Sequence, residues 1–395
     1  MTCLRIVAIA ASGLLALAPP ALADEKKADG LQLSLSSEIS TIWTSNAEQT
    51  ARGHSDRILQ HGETLTITTG DNQYGLRGSI GFSQMRYERL VAHDEDEISL
   101  SLDAETYIAD ATKIAGFLRL SYGEGGEQLD LGDVSIAIRS DKWQGELGAS
   151  IAHEGDRWGI EAGFAYRQTR HGEARFEGIA LVPTRLEANH DQFAASAGVL
   201  RLMTDGLAAR FSGLYRHVAI PDADKLAFGR GGANLVRLSA GLATTSNLRA
   251  GFSLEAGGDI VFAGNGSASL YIMPYARAEL ILNLTDRFGM RAGFETDTDL
   301  SDPSDGFAEW AFAGEVGASY ALTRSTRLSG RLFASHKRSI GFDLGLEDRW
   351  GAEASIELQT AEALALRATI EQSRTKGLMP SFDETRIAMI LRAAL

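Results

Sequence analysis

The sequence predicts an all-β chain, a single closed antiparallel transmembrane β-barrel of about 18 strands, range roughly 16–20, with both termini periplasmic. Three observations carry this expectation. Apolar and polar side chains alternate with period two along nearly the whole chain, the signature of strands with two different environments. A short secretion signal opens the chain, and no apolar run of the length that a spanning helix needs follows it. The five tryptophans, Trp43, Trp143, Trp158, Trp310 and Trp350, stand at strand ends on the apolar phase, as an interfacial aromatic girdle requires.

Residues 1–23 read as a signal peptide. Arg5 is its only charge, Ile6 to Leu17 form the apolar core, and Ala21-Leu22-Ala23 is a small-residue cleavage site. Cys3 is the one cysteine, so the mature chain has no disulfide, thiol chemistry or cysteine metal site. Residues 24–30 are a short periplasmic lead, and the barrel runs from 31 to 395. A net charge of -14 leaves no footprint for nucleic acid. The 42 glycines against 7 prolines suit many strands whose small residues leave room for a lumen.

The first strand places Leu31, Leu33, Leu35, Ile39 and Trp43 on one phase and Gln32, Ser34, Ser36 and Glu38 on the other. Thr44 to Arg57 reads as a polar loop, and a short strand follows near Thr64–Thr69. Tyr74–Phe82 and Ile98–Glu105 form the next hairpin. The same alternation covers Lys113–Tyr122, Trp143–Ile151 and Trp158–Arg167; Gln128–Arg139 and Glu173–Leu181 are weaker and read either as strands or as loop excursions. Later strands fall at Phe193–Val199, Leu207–Val218, Asn234–Leu242 and Leu248–Phe262. Ser267–Thr298 is the clearest hairpin, with Leu270, Ile272, Pro274, Ala276, Ala278 and Leu280 on the apolar phase. Trp310–Leu322, Thr326–His336, Trp350–Leu358, Leu364–Glu371 and Glu384–Leu395 complete the set. Short and long connections mostly alternate, as a barrel with turns at one end and loops at the other demands.

Candidate function lies on the inward phase. Arginine on the lipid face would cost about 2–4 kcal/mol at the midplane, so the strand arginines must face the lumen. The lumen-lining and selectivity candidates are Arg277, Glu279, Arg291 and Glu295 of one hairpin, with Arg77, Arg119, Arg167, Arg237, Arg249, Arg331 and Arg367. Arg277 and Arg291 are expected at nearly one depth, acting together. Tyr271 and Tyr275 on that phase could stack on sugar rings or simply fill space. Opposed charges can brace a hydrated wall or set a field that selects permeants.

The eight histidines are scattered without metal-ligand spacing, and no serine stands in a nucleophile turn, so no enzyme is expected and no cofactor. The acidic clusters Asp94–Glu97, Asp222 with Asp224, and Asp299, Asp302 and Asp305 could hold a divalent cation or be soluble loops, and no metal site is assigned.

Glu38-Ile39-Ser40-Thr41-Ile42-Trp43-Thr44-Ser45-Asn46, followed by Ser55-Asp56, resembles the start of a β-barrel porin family associated with surface-polysaccharide loci. Ser45 departs from the acidic residue usual before that asparagine, and Leu395 from the terminal aromatic common among outer-membrane barrels. The resemblance implies a Gram-negative outer membrane and passage or export of a saccharide. The expected function is a porin-like channel for passive passage of small solutes or saccharides. Alternatives are a surface-polysaccharide export barrel and a non-conducting adhesion or structural barrel. Expected partners are outer-membrane lipid and lipopolysaccharide, small polar solutes or saccharides, and the barrel-assembly machinery, with no nucleic acid.

Overall fold

A computed structural model describes residues 30–48, 53–71, 73–131, 134–176, 184–229, 231–244, 249–264, 268–300, 308–340, 346–361, 363–377 and 381–394. The expected signal peptide and most of the lead lie outside the described residues. The strands are β1 (Gln32–Thr44), β2 (Asp56–Gly70), β3 (Tyr74–Tyr87), β4 (Glu95–Ala109), β5 (Thr112–Leu131), β6 (Val134–Glu154) and β7 (Trp158–His171). After the two-residue β8 (Arg175–Phe176) come β9 (His190–Thr204), β10 (Leu207–Ala219), β11 (Ala233–Thr244), β12 (Ala250–Gly264) and β13 (Ala268–Asn283). The wall continues through β14 (Phe288–Asp299), β15 (Ala308–Ala321), β16 (Thr326–Ile340), β17 (Leu346–Ala361), β18 (Leu364–Lys376) and β19 (Phe382–Ala394). One short helix, α1 (Asp222–Phe228), sits in the loop between β10 and β11.

Every wall strand pairs antiparallel with its sequence neighbour, β7 passes directly to β9, and β1 closes against β19. β8 touches only the far end of β6, so the closed wall has 18 strands. Closure gives every wall strand a paired neighbour on each side, the condition for a sheet to cross hydrocarbon. Both ends of the described chain meet at the tight-turn end, where Ser36 faces Ala394.

Side chains sort as the alternation requires. Leu33, Ile80, Leu238 and Ile272 stand on the outer phase with 57 to 72% of their surface open, a band of large apolar groups that faces lipid. Trp43, Trp143, Trp158 and Trp350 share that phase and are exposed. Trp143 lies mid-strand in β6 because β5 and β6 extend beyond the wall, and it stands opposite Tyr122. Gln128–Arg139 is the tip of this long hairpin. Of Glu173–Leu181, the described residues hold only β8, which is not part of the wall, and residues 177–181 lie outside the described ones.

β2 begins at Asp56, well before the expected Thr64. His61 and Glu63 occupy its outer phase and interrupt the apolar pattern, which hid the first half of the strand. Backbone pairing with β1 nevertheless runs unbroken from Asp56 to Thr68.

The wall has one split. β13 pairs with β12 up to Gly264–Ala268, and β14 pairs with β15 up to Asp299–Glu309, yet the β13–β14 ladder stops at Ala276–Thr296. Pro274 stands just beyond the last rung and has no N–H to offer. The Thr296 hydroxyl takes the Ala276 N–H at 2.7 Å and donates to the Pro274 carbonyl at 3.1 Å, capping the ladder.

Beyond the split, β14 to β16 turn under their neighbours. Leu300, Ala308 and Ile340, which continue the outer phase of those strands, bury against Val218, Ala233, Leu235 and Val261 of β10 to β12. Leu235 and Val261 are inward residues with no exposed surface. Trp310 joins this overlap, and its indole N–H reaches the Pro274 carbonyl at 3.1 Å. Trp310 therefore leaves the expected girdle: the bend of β14 carries β15 inward and gives the ring a protein partner in place of the interface.

Candidate functional site: the charged lumen wall

The inward phase places carboxylates and guanidinium groups on successive strands, and cross-strand register brings them into contact. One belt runs along β13 to β18. Glu279 meets Arg291 at 3.0 Å, Arg291 approaches Glu315 at 4.0 Å, and Glu315 meets Arg331 at 3.5 Å. Arg331 reaches Glu353 at 2.6 Å, and Glu353 takes Arg367 at 3.2 Å. Signs alternate along the whole belt, so most of its field cancels at short range.

A second group sits higher, inside the overlap. Arg237 of β11 forks onto Asp259 of β12 at 2.7 and 2.8 Å and extends to Asp297 of β14, three strands away. Its guanidinium lies over the Tyr275 ring, 3.8 Å from the centroid. Asp259 has no exposed surface and Tyr275 has 6%. Buried charges of this kind persist only when paired and hydrogen-bonded, and here every partner is in place. With its face taken by Arg237, Tyr275 is no platform for a sugar ring. Tyr271 packs against the apolar overlap.

The remaining candidates divide. Arg119 lies 3.8 Å from Asp103, and Arg167 forks onto Glu146 at 2.9 and 3.1 Å. Arg77 stands exposed on the lumen phase opposite Asp103. Arg249 falls in the turn before β12 and is exposed, so it does not line the wall. Arg277 stands opposite Glu295, whereas Arg291 stands opposite Ile281. The two arginines are thus four residues apart along the hairpin, about 13 Å at roughly 3.3 Å per residue. The expectation of a single depth fails because the ladder closes at Asn283–Gly289, two residues further along β14 than a turn ending at Arg287 implies.

Asp297 is the member of the site that alternation did not single out. It lies on the inward phase of the expected Ser267–Thr298 hairpin, two residues beyond Glu295, and its partner Arg237 is three strands away. Among the acidic clusters, Asp224 is 2% exposed and belongs to a clamp between loops: Arg185 forks onto it at 2.6 and 2.7 Å, and the Asn189 N–H donates at 2.8 Å. Asp302 and Asp305 lie outside the described residues. No group of three or more histidine or acidic residues fit to hold a metal occurs among the described residues.

No protein-family model matches the chain, and no curated protein does. Solved structures do. The barrel is similar to the copper transporter OprC, with a TM-score of 0.56 and 11% identity, over 93% of this chain and 81% of that one. The unliganded ferric citrate transporter FecA matches with a TM-score of 0.53 and 12% identity, over 87% of this chain and 60% of that one. The ferric enterobactin receptor PfeA of Pseudomonas aeruginosa, in a mutant form, gives 0.52 and 9% over 93% of this chain and 81% of that one.

At such identities the likeness establishes the outer-membrane barrel fold. It also overturns the expectation of a porin-like channel for passive passage. The matched barrels are transporters and a receptor for particular metal species, not porins and not enzymes. The saccharide-export and adhesion alternatives find no support among them.

Proposed function

We propose that this chain is an outer-membrane transport barrel that admits a chosen ligand through a mouth narrowed by its own wall. The observation that carries this reading is the overlap of β14–β16 beneath β10–β12. Seven buried apolar side chains fill space that an open pore leaves to water. The paired lumen charges support it too, since arginines tied to carboxylates offer little net field to passing ions. Metal complexes such as those of the similar barrels are the first ligands to try.

Export by the predicted signal peptide, insertion by the barrel-assembly machinery and contact with lipopolysaccharide complete the reading. Lys376 over the Trp350 ring, on the outer face at the long-loop end, suits an anionic headgroup layer. The test is current across planar bilayers together with intrinsic fluorescence during titration of ferric citrate, ferric enterobactin and copper. The expected result is no steady current without ligand and saturable quenching by one of them. Steady ohmic conductance from the unliganded barrel, with no binding, overturns the proposal.

A further inference from the structure

The geometry points to the β13–β14 split as a lateral port that passes an acyl chain between the lumen and the hydrocarbon of the membrane. This goes beyond the transport reading, because it concerns the wall and not the lumen charges. Three features meet at the split. Backbone pairing, which elsewhere seals the wall, stops at Ala276–Thr296, and side chains alone bridge the last of it.

On the lumen side lies a patch unusual for a wet interior. Leu235, Val261, Met273 and Tyr271 all stand on the inward phase, and Leu300, Ile340 and Trp310 of the neighbouring strands cover them. Apolar residues facing water would bring no benefit there; covered by a displaceable strand end, they make a ready seat for a hydrocarbon chain.

On the membrane side, directly below the split, runs a shallow groove of about 640 Å³. Ala278 and Gly314 form part of its floor, and Phe252, Leu280, Phe294 and Val316 are ridges on its sides. It faces lipid, so the molecule that fills it is an acyl chain. Patch, split and groove are continuous through Thr296, Phe312 and Phe294: Thr296 stands opposite Phe312, and the two phenylalanine rings are 6.3 Å apart. The ligand that fits all three is an amphiphile with a single flexible apolar chain and a polar head that can stay in the lumen. Passage needs the ends of β14–β16 to move by a side chain's width, and no backbone hydrogen bond between β13 and β14 has to break.

The test uses the full barrel in nanodiscs, with one new cysteine carrying a small fluorophore. Met273→Cys reports the lumen side of the split. Ser253→Cys reports the lumen where both neighbouring ladders are intact, and Ile272→Cys reports the lipid face. Bromine on acyl chains quenches on contact. In one arm the disc lipid is a brominated phosphatidylcholine; in the other the disc is plain and dibromostearate is added.

The expected result is that the Met273→Cys label loses about half as much fluorescence as the Ile272→Cys label, while the Ser253→Cys label stays bright. Quenching in the first arm identifies bilayer lipid as a source of the chain, and quenching in the second identifies a free amphiphile. A Met273→Cys label as bright as Ser253→Cys in both arms overturns the port. That failure would leave the conductance and ligand tests of the transport reading untouched.

Discussion

The Arg237 guanidinium lies 3.8 Å above the Tyr275 ring and is gripped by Asp259, which has no exposed surface. This contact joins β11 to β13 at the level where β14 leaves the wall, and Asp297 brings β14 into the same cluster. Arg237 is therefore the hinge pin of the overlap: one cation ties β14, which has left its ladder with β13, to β11–β13, whose own ladders are intact at this level. Replacing Arg237 by Met leaves two carboxylates without their cation, a loss of about 3–5 kcal/mol when a buried pair is broken on one side. Asp297→Asn should cost much less, because Asp297 is partly exposed and Asp259 still pairs with the arginine. Urea titration of the barrel in phospholipid vesicles should show that order.

Tyr275 itself gives a milder prediction. Tyr275→Phe keeps the ring under the guanidinium and should be close to neutral, while Tyr275→Leu removes a desolvated cation–π contact worth about 1–2 kcal/mol. The same titration separates the two, and equal losses would assign the effect to the hydroxyl, the one group that both variants lack.

How much of this was legible in the sequence is clear from particular residues. Alternation alone located nearly all the wall strands, because a strand between lipid and water must sort every second side chain. It missed the first half of β2, where His61 and Glu63 occupy the outer phase. The overlap left one trace, Pro274 within the apolar phase of a strand, and a proline there is compatible with several outcomes. Which strand ends turn inward depends on contacts such as Arg237–Asp297, sixty residues apart in the chain. No local pattern encodes these. The belt of paired charges was half visible: its members were readable from phase, while who pairs with whom depended on register.

The seam predicts a gain of conductance. Thr296→Val with Trp310→Phe removes both side-chain bridges to the Pro274 carbonyl while keeping size and apolar character. If those bridges hold the mouth narrowed, the double variant should show current steps in planar bilayers where the unaltered barrel is silent. Silence from both proteins, with the variant folded, would show that the apolar overlap alone keeps the mouth shut.

The loop clamp predicts a pH dependence. Hydrogen bonding from Arg185 holds the Asp224 carboxyl below the usual carboxylate range, and burial opposes it without prevailing. A depressed carboxyl contributes stability that is present above its unfolded value near 3.9 and lost as pH falls through the folded value. The clamp between the two loops should thus survive mild acid and release only below about pH 4. Limited proteolysis with pepsin over that range should show cleavage near residues 184–189 rising late. Asp224→Asn should be cleaved there at every pH tested, and its profile should be flat.

Glu63 carries the last prediction, because it stands where a carboxylate has least reason to be. It is the middle residue of the 15-residue β2, on the outer phase between exposed Leu59, Leu65 and Ile67. Its side chain is 54% exposed, and its one ion-pair partner among the described residues is the His61 imidazole at 3.3 Å. Lumen carboxylates such as Glu353 hold two arginines each; Glu63 faces hydrocarbon with an imidazole. An acidic group on the lipid face of a barrel costs less than arginine does, on the order of 1 kcal/mol at this depth. Glu63→Leu should therefore stabilise the isolated barrel by about that much, with added gain from apolar surface placed in lipid. Glu353→Leu, at the same kind of strand position on the opposite face, should destabilise by leaving Arg331 and Arg367 without their shared partner. Unfolding by urea in phosphatidylcholine vesicles measures both. A loss of stability for Glu63→Leu, alongside the expected loss for Glu353→Leu, would mean that the outer face of β2 is stabilised by its carboxylate and that lipid is not its only neighbour.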